Sequence, residues 1–501
     1  MRFDLTENRF VDDDVRADAW AVIGADRSLR WRELAAEAQA WAAEAQEYGF
    51  GADVPVIVRG HKEAAFFVAM AGALLLRAPF VPVDTIYPEE RMQRIAAVLG
   101  ATTCFDASAG CFAALESEGL AVADPASAPP PLRESGLAYV LFTSGTTGEP
   151  KGVQIGRESV AALAAWMEDF ALGEAPVFLS QAPFSFDLSM YEVFGTLAMG
   201  GTIVLASRSL TAQGNLFRAI LARNGLTTWV STPSFAQQQL LSAQFSAAGL
   251  PSLRTFLFCG EVLPVPLARQ LRRRFPNARI INTYGPTEAT VATTWIVVDD
   301  AVLAQHARLP IGYAKRDAEV FVENGELCIA GAHVMRGYLN RDDLNASRMF
   351  THSGQRAFRT GDLGSVEGDG LLFCHGRIDE QIKLGGYRIE LAEIDAALRT
   401  LPGVEGGAAV PLRRADGSVV RIVAYVATGD SARDQDDNEH LPDASPNWKS
   451  QLGQHLPPYM IPSELLTCRS LPLTVNSKID RAQLANDYRE FHARTERRTD
   501  A

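Results

Sequence analysis

The stretch Tyr139-Val140-Leu141-Phe142-Thr143-Ser144-Gly145-Thr146-Thr147-Gly148-Glu149-Pro150-Lys151-Gly152 runs from an apolar strand into a loop of small and hydroxylated residues. Small residues let backbone N–H groups close on an anion, and hydroxyls add further donors. Lys151 can neutralise phosphate charge. A Walker A loop is the first rival, and it needs G-x4-G-K followed by Ser or Thr at the start of a helix. Here Gly148 is followed by Glu149-Pro150-Lys151-Gly152, which does not fit. A glycine- and threonine-rich surface turn is the plainer alternative, and the loop taken alone leaves both readings open.

Working outward, the flanks alternate helix and strand. Leu34, Ala38, Trp41 and Ala45 recur at helical spacing between polar residues, so 31–48 reads as an amphipathic helix. Val54 to Val58 reads as a buried strand, 63–76 as an apolar helix and Phe80 to Val83 as the next strand. Strands separated by helices indicate a mostly parallel sheet with crossovers. The alternation pauses at the alanine- and proline-rich connection 121–131 and resumes to about residue 300. Residues 318–375 are richer in glycine, and Asn324-Gly325 between alternating residues signals a hairpin in a small β-rich subdomain. After Arg377 a helix at 391–400 and strands near 404–412 and 419–427 suggest a separate small α/β domain. The aspartate-rich run 429–447 reads as a solvated loop, and the end beyond 488 as a polar tail.

A chain of 501 residues exceeds one ordinary core, so two or more domains are expected. The net charge of -13 argues against non-specific binding to nucleic acid or anionic membranes. No apolar run reaches the ~18 residues of a membrane span, and the N-terminus has no apolar signal core. Cysteines at 104, 111, 259, 328, 374 and 468 form no CxxC pair, as expected of thiols in a reducing cytoplasm.

Read with the rest of the chain, the loop closely resembles the phosphate-binding loop of the adenylate-forming superfamily, and of amino-acid adenylation domains in particular. Further segments resemble the family's motifs in order, over roughly residues 15 to 487. They are Leu29 to Leu34, Pro82 to Arg91, Phe186-Asp187-Leu188-Ser189, and Asn282-Thr283-Tyr284-Gly285-Pro286-Thr287-Glu288. They continue with Gly325-Glu326-Leu327, Gly337-Tyr338, Arg359-Thr360-Gly361-Asp362, Gly376 to Lys383, and Asn476-Ser477-Lys478-Ile479-Asp480. The implied fold is α/β: a large N-terminal domain of doubly wound sheets with a β-rich subdomain (1–377), a small mobile C-terminal α/β lid (378–487) and the polar tail 488–501.

The resemblance implies ATP and Mg²⁺ as cofactors and assigns roles residue by residue. Thr143, Ser144, Gly145, Thr146, Thr147, Gly148 and Lys151 would form the ATP loop, and Thr287 would add a phosphate contact. Tyr284 offers a flat ring for adenine. Asp362 suits ribose hydroxyls, Arg377 the same sugar or the phosphates, and Glu288 is a hard oxygen ligand for Mg²⁺. Lys478 would be the catalytic cation, reaching substrate carboxylate and α-phosphate together. Asp379 falls at the family's hinge, and Lys383 lies just beyond it.

Asp187 matches the aspartate that holds the substrate α-ammonium in amino-acid adenylation domains. Opposite charges about 4 Å apart interact by ~4 kcal/mol at an effective dielectric of about 20. The implied pocket is Asp187, Leu188, Tyr191, Val230, Leu257, Cys259, Thr283, Val291 and Ala292, closed by Lys478. Several runs, among them Phe256 to Glu261, resemble the D-alanine:carrier-protein ligases; Tyr191 is bulkier than expected there, and Gly385-Gly386 resembles free-standing peptide-synthetase adenylation enzymes. The expected substrate is a small alanine-like amino acid, with proline, serine and glycine open and an acyl- or aryl-CoA ligase as the alternative. A non-catalytic protein on the same fold would be expected to lack Lys478, Glu288 or Asp362, and all three are present. The expected acceptor is a phosphopantetheinylated carrier protein in trans. Arg269, Arg272, Arg273 and Arg274 are either a docking patch for such an acidic carrier or a solvated helix face.

Overall fold

The computed structural model describes residues 1–11, 16–116, 119–122, 128–145, 149–414, 417–427, 441–442, 447–468, 470–474 and 479–499. These fall into two compact units. Met1–Thr85, Ile95–Phe142 and Lys151–Ile378 form the first; Ile86–Arg94, Thr143–Pro150 and Asp379–Ala501 form the second.

Two large sheets organise the first unit. One has eight strands, with Leu137–Thr143, Phe80–Asp84, Val56–Gly60 and Thr103–Asp106 as parallel neighbours at its centre. The other has nine, and its parallel centre runs Arg279–Tyr284, Thr255–Phe258, Thr228–Ser231, Val177–Ser180, Thr202–Leu205 and Trp20–Ile23. The central strands read as continuous apolar runs because helices cover both faces of a parallel sheet. Helix Trp31–Glu47 buries Trp31, Leu34, Ala38, Trp41 and Ala45 along one face. Helix Ala64–Leu76 is apolar all round and buried, and it ends at Arg77 in the left-handed conformation. These helices, with Arg157–Met167 and Ser189–Met199, share one core with residues of both sheets. A second core fills the other face of the nine-stranded sheet, around Phe217, Trp229, Phe245, Phe256 and Leu271.

The glycine-rich segment forms an antiparallel five-stranded sheet. Its hairpin pairs Ala318–Glu323 with Glu326–Gly331, Glu323 opposite Glu326, around Asn324 and Gly325. Their φ values of 53° and 84° are those of a two-residue turn whose twist suits the flanking strands.

The second unit holds the hairpin Gln381–Leu384 and Tyr387–Glu390, helix Leu391–Leu398, and a four-stranded sheet built on Gly406–Arg413, Val419–Ala427 and Leu465–Cys468. Two pieces that chain order assigns to the large domain pack here: Arg91 pairs with Glu393 at 2.5 Å, both buried, and Ser144 Oγ donates to Arg388 O at 2.9 Å. The stretch expected as a tail from residue 488 begins inside helix Arg481–Thr499. Leu484 and Tyr488, one turn apart, are buried in a small core with Tyr425, and the Tyr488 hydroxyl donates to Glu464 Oε1 at 2.7 Å. Most of the run 429–447 lies outside the described residues; Leu441–Pro442 within it pairs with Leu465–Cys468. No helix among the described residues is long and apolar enough to cross a membrane.

Candidate active site

Strand Arg279–Tyr284 lies inside the nine-stranded sheet, and at its end alternation sends neighbouring side chains to opposite faces. Thr283 Oγ1 donates to Phe258 O at 2.8 Å and accepts from the Tyr191 hydroxyl at 3.2 Å. Tyr284 turns the other way and donates to Asp362 Oδ2 at 2.6 Å. The chain then bends through Gly285 and Pro286 into a short turn, Thr287–Ala289. Gly285 is required there: a Cβ would come within 2.4 Å of Ala292 Cα. Beyond it Thr287 Oγ1 donates to Asp187 Oδ2 at 2.7 Å, and Glu288 Oε1 accepts from the Tyr338 hydroxyl at 2.5 Å. One short stretch therefore carries Glu288 and bonds both Asp362 and Asp187, the carboxylates expected for metal, ribose and ammonium.

Asp362 and Arg377 face each other across adjacent strands, with Nη1 3.0 Å from Oδ1. Arg377 also donates to Thr360 O at 3.3 Å. Burial, reinforced by the neighbouring Asp362 charge, pushes the Tyr284 phenol well above its ordinary range, so it stays a donor to that carboxylate. Its ring packs with Ile311, Leu327 and Leu372. Tyr284 is thus fixed at both ends, by apolar contact at the ring and by a charge-assisted hydrogen bond at the tip.

The nine residues expected to line the amino-acid pocket all lie in the first unit, seven of them in one core. Val230 pairs with Leu257, and Leu257 with Ile281, on adjacent parallel strands. Leu188, Tyr191, Val230, Leu257, Cys259, Thr283, Val291 and Ala292 are buried, and Asp187 is half-buried just before helix Ser189–Met199. Tyr191 is fully buried against Trp166 and Phe170, and burial raises its phenol well above the ordinary range. Its bulk thus belongs to the core. Opposite, Ala292 N donates to Thr290 O at 2.9 Å across Val291, whose φ is 72°. This three-residue turn is strained for a β-branched side chain, by about 1–3 kcal/mol. Surrounding groups hold it: Cys259 Sγ donates to Val291 O at 3.7 Å, Thr290 Oγ1 to His333 O at 2.7 Å, and Lys315 Nζ to Ala292 O at 2.9 Å.

Lys478, Thr146, Thr147 and Gly148 lie outside the described residues. Of the remaining loop, Thr143, Ser144 and Gly145 group with the second unit, Lys151 is a buried first residue of strand Lys151–Gly156, and Asp379 opens the second unit's final segment. Thr143 Oγ1 is buried without a hydrogen-bond partner among the described residues. The arginine cluster is largely committed within its own unit. Arg272 grips Asp300 through two bonds of 2.7 and 3.0 Å, Arg269 donates to Leu303 O, and Arg274 caps the Ser242 and Phe245 carbonyls, leaving Arg273 exposed. Two groups escaped the sequence reading. Tyr338 lies in the motif pair Gly337-Tyr338, which by itself suggests no role for its hydroxyl, and Lys315 lies in none of the family-like motifs.

Comparison with known proteins identifies the family. Residues 11–339 match the AMP-binding enzyme family. A D-alanine–D-alanyl carrier protein ligase of Bacillus cereus (strain G9842) is 38% identical over 456 residues, 86% of this chain and 89% of the relative. One from Bacillus thuringiensis (strain Al Hakam) has the same identity and coverage. Among solved structures, the Vibrio cholerae adenylation domain AlmE, in complex with glycyl-adenosine-5'-phosphate, aligns with a TM-score of 0.77 at 22% identity, over 96% of this chain and 97% of that one. An o-succinylbenzoate CoA synthetase from Bacillus subtilis aligns at 0.78 and 19%, over 97% and 98%. Both likenesses speak for the fold alone, which hosts more than one chemistry. With the family matched from residue 11 to 339 and relatives 38% identical across most of the chain, this protein belongs to the AMP-binding enzyme family.

Proposed function

We propose that this chain activates a small, alanine-like amino acid with ATP and passes it, as a thioester, to the phosphopantetheine thiol of a separate carrier protein. The carrying observation is that Thr283 to Glu288 binds together the Asp187 carboxylate, the wall around Tyr191 and the Tyr284–Asp362–Arg377 cluster. A carboxylate oriented by a threonine at the edge of a buried, otherwise uncharged wall suits an α-ammonium. A fatty or aryl acid would gain nothing from it. Asp362 and Arg377 suit a ribose beside them, and the ligase names of the relatives support a carrier as acceptor.

In the first step a substrate carboxylate oxygen attacks the α-phosphorus of ATP, forming the mixed anhydride and releasing pyrophosphate. The carboxylate is already ionised at neutral pH, so no general base is needed. The task left is positioning and charge stabilisation, which we assign to Lys478. In the second step the thiolate attacks the acyl carbon, a thioester forms and AMP leaves. Asp379 is the proposed hinge between the two steps.

Glu288 fits Mg²⁺. It is a hard oxygen donor, and the described residues contain no cluster of three metal-ligating side chains, as when Mg²⁺ relies on one carboxylate and the substrate phosphates. Glu288, steadied by Tyr338, would hold the ion, which when bound would offset phosphate charge. The cysteines described are all free, which supports a cytoplasmic setting.

The test is amino-acid-dependent exchange of labelled pyrophosphate into ATP, with D- and L-alanine, serine, glycine and proline in parallel. Exchange with one or a few small amino acids is expected. No exchange with any of them from folded protein and Mg²⁺ would overturn the amino-acid reading in favour of a carboxylic acid with coenzyme A.

A further inference from the structure

Lys315 is buried, with 4% of its surface exposed, and among the described residues it has no carboxylate partner. Its contacts are the Ala292 carbonyl at 2.9 Å and the face of Trp166 at 4.7 Å. A buried ammonium without a counter-charge is costly, and a methionine of similar length would fill the space without that cost. Stability therefore does not account for a lysine here. Burial pushes it down to about 7. The neighbouring His333 is held well below its ordinary value by burial, with Lys315 and then Arg356 adding to the effect.

What the lysine supplies is a donor aimed at the strained turn. Thr290 and Val291 both have positive φ, at 53° and 72°, and Val291 and Ala292 are among the residues expected to line the pocket. Backbone bonds anchor the residues that follow: Thr293 N donates to Tyr284 O and Lys315 N to Thr293 O, each at 2.8 Å. Strain of this kind persists only where the surroundings over-determine it. Lys315 also touches the opposite wall indirectly, since Trp166 packs against Tyr191 with ring centroids 6.3 Å apart.

We infer that Lys315 is a positioning residue for substrate selection: it clamps the Ala292 carbonyl, keeps the Thr290–Ala292 turn tight, and so sets how closely the wall fits the amino-acid side chain. This rests on the amino-acid reading of the pocket. The experiment uses the full chain with Lys315→Met and Lys315→Gln in parallel, so that whichever folds decides. The readouts are Tm, the KM for ATP, and the KM for alanine, glycine and serine in pyrophosphate exchange. Expected for Lys315→Met is an unchanged or higher Tm and an unmoved KM for ATP. The KM for the preferred amino acid should rise about tenfold or more, with a narrowed preference between amino acids one methylene apart. A folded variant with the wild-type amino-acid KM and preference overturns the role of Lys315 alone. Absence of exchange from the wild type overturns the pocket reading, and this inference with it.

Discussion

Asp187 is the one acidic side chain among the nine residues proposed to line the pocket, and its carboxylate is already oriented by the Thr287 hydroxyl at 2.7 Å. Asp187→Asn keeps the shape and an acceptor but removes the charge. At ~4 kcal/mol for a close ion pair at an intermediate dielectric, kcat/KM for the amino acid should fall by roughly 10² to 10³, with the KM for ATP little changed. Steady-state exchange kinetics check this, and an unchanged kcat/KM would remove Asp187 from ammonium binding. At this scale residue types are legible in the chain, and their partners within the fold are not. Glu288 stood out from its motif, yet the hydroxyl that orients it, Tyr338, is 50 residues away. Thr287 was expected on phosphate, and in the fold its hydroxyl donates to Asp187.

Among elements, those defined by short-range rules were the most legible. Asn324-Gly325 announced its hairpin because only residues tolerant of positive φ close a two-residue turn between twisted strands. Gly325 has φ 84° and its missing Cβ faces only Leu363 Cδ2 at 3.7 Å, so space does not limit it and conformation does. Gly325→Ala should therefore cost about 1–2 kcal/mol of unfolding free energy through left-handed strain. Urea unfolding measures it, and a loss near zero would show that the turn can change type. The Val291 turn was invisible by the same logic: a valine at positive φ breaks the local rule, and tertiary bonds alone impose it. The arginine run on helix Val265–Arg274 reads from sequence as either a docking patch or a solvated face, and in the fold Arg269, Arg272 and Arg274 donate to Leu303, Asp300 and the Ser242 and Phe245 carbonyls.

For the whole molecule, the two large sheets of the first unit are joined through a buried polar contact. Lys62 follows a strand of the eight-stranded sheet, and its Nζ donates to Ser180 Oγ at 2.8 Å, at the end of a strand in the nine-stranded one. Burial pushes Lys62 down to about 8, and burial pushes the neighbouring Glu192 up to about 8, each drawn part-way back by the other's charge. Glu192 holds its proton more tightly folded than unfolded. Its contribution is complete below the ordinary carboxylate range near pH 4 and is lost as pH rises through about 8. Lys62 holds its proton less tightly when folded. Its contribution is complete above about pH 10 and is lost as pH falls through about 8. The pair should therefore carve a stability minimum near pH 8, seen as a dip in Tm, that Lys62→Met with Glu192→Gln removes. An unaltered profile in the double variant would refute it.

The alternation of strand and helix, the two-residue hairpin and the ordered set of motifs are legible in the chain alone, because periodicity, turn chemistry and residue type act over a few neighbouring positions. The tertiary structure decided which groups meet: Tyr338 on Glu288, Thr287 on Asp187, Tyr284 and Arg377 on the two oxygens of Asp362, and Lys315 under Ala292. Those pairings span tens to about a hundred residues of chain, and burial, which makes an unmatched polar group expensive, selects them only once the sheets have closed around them.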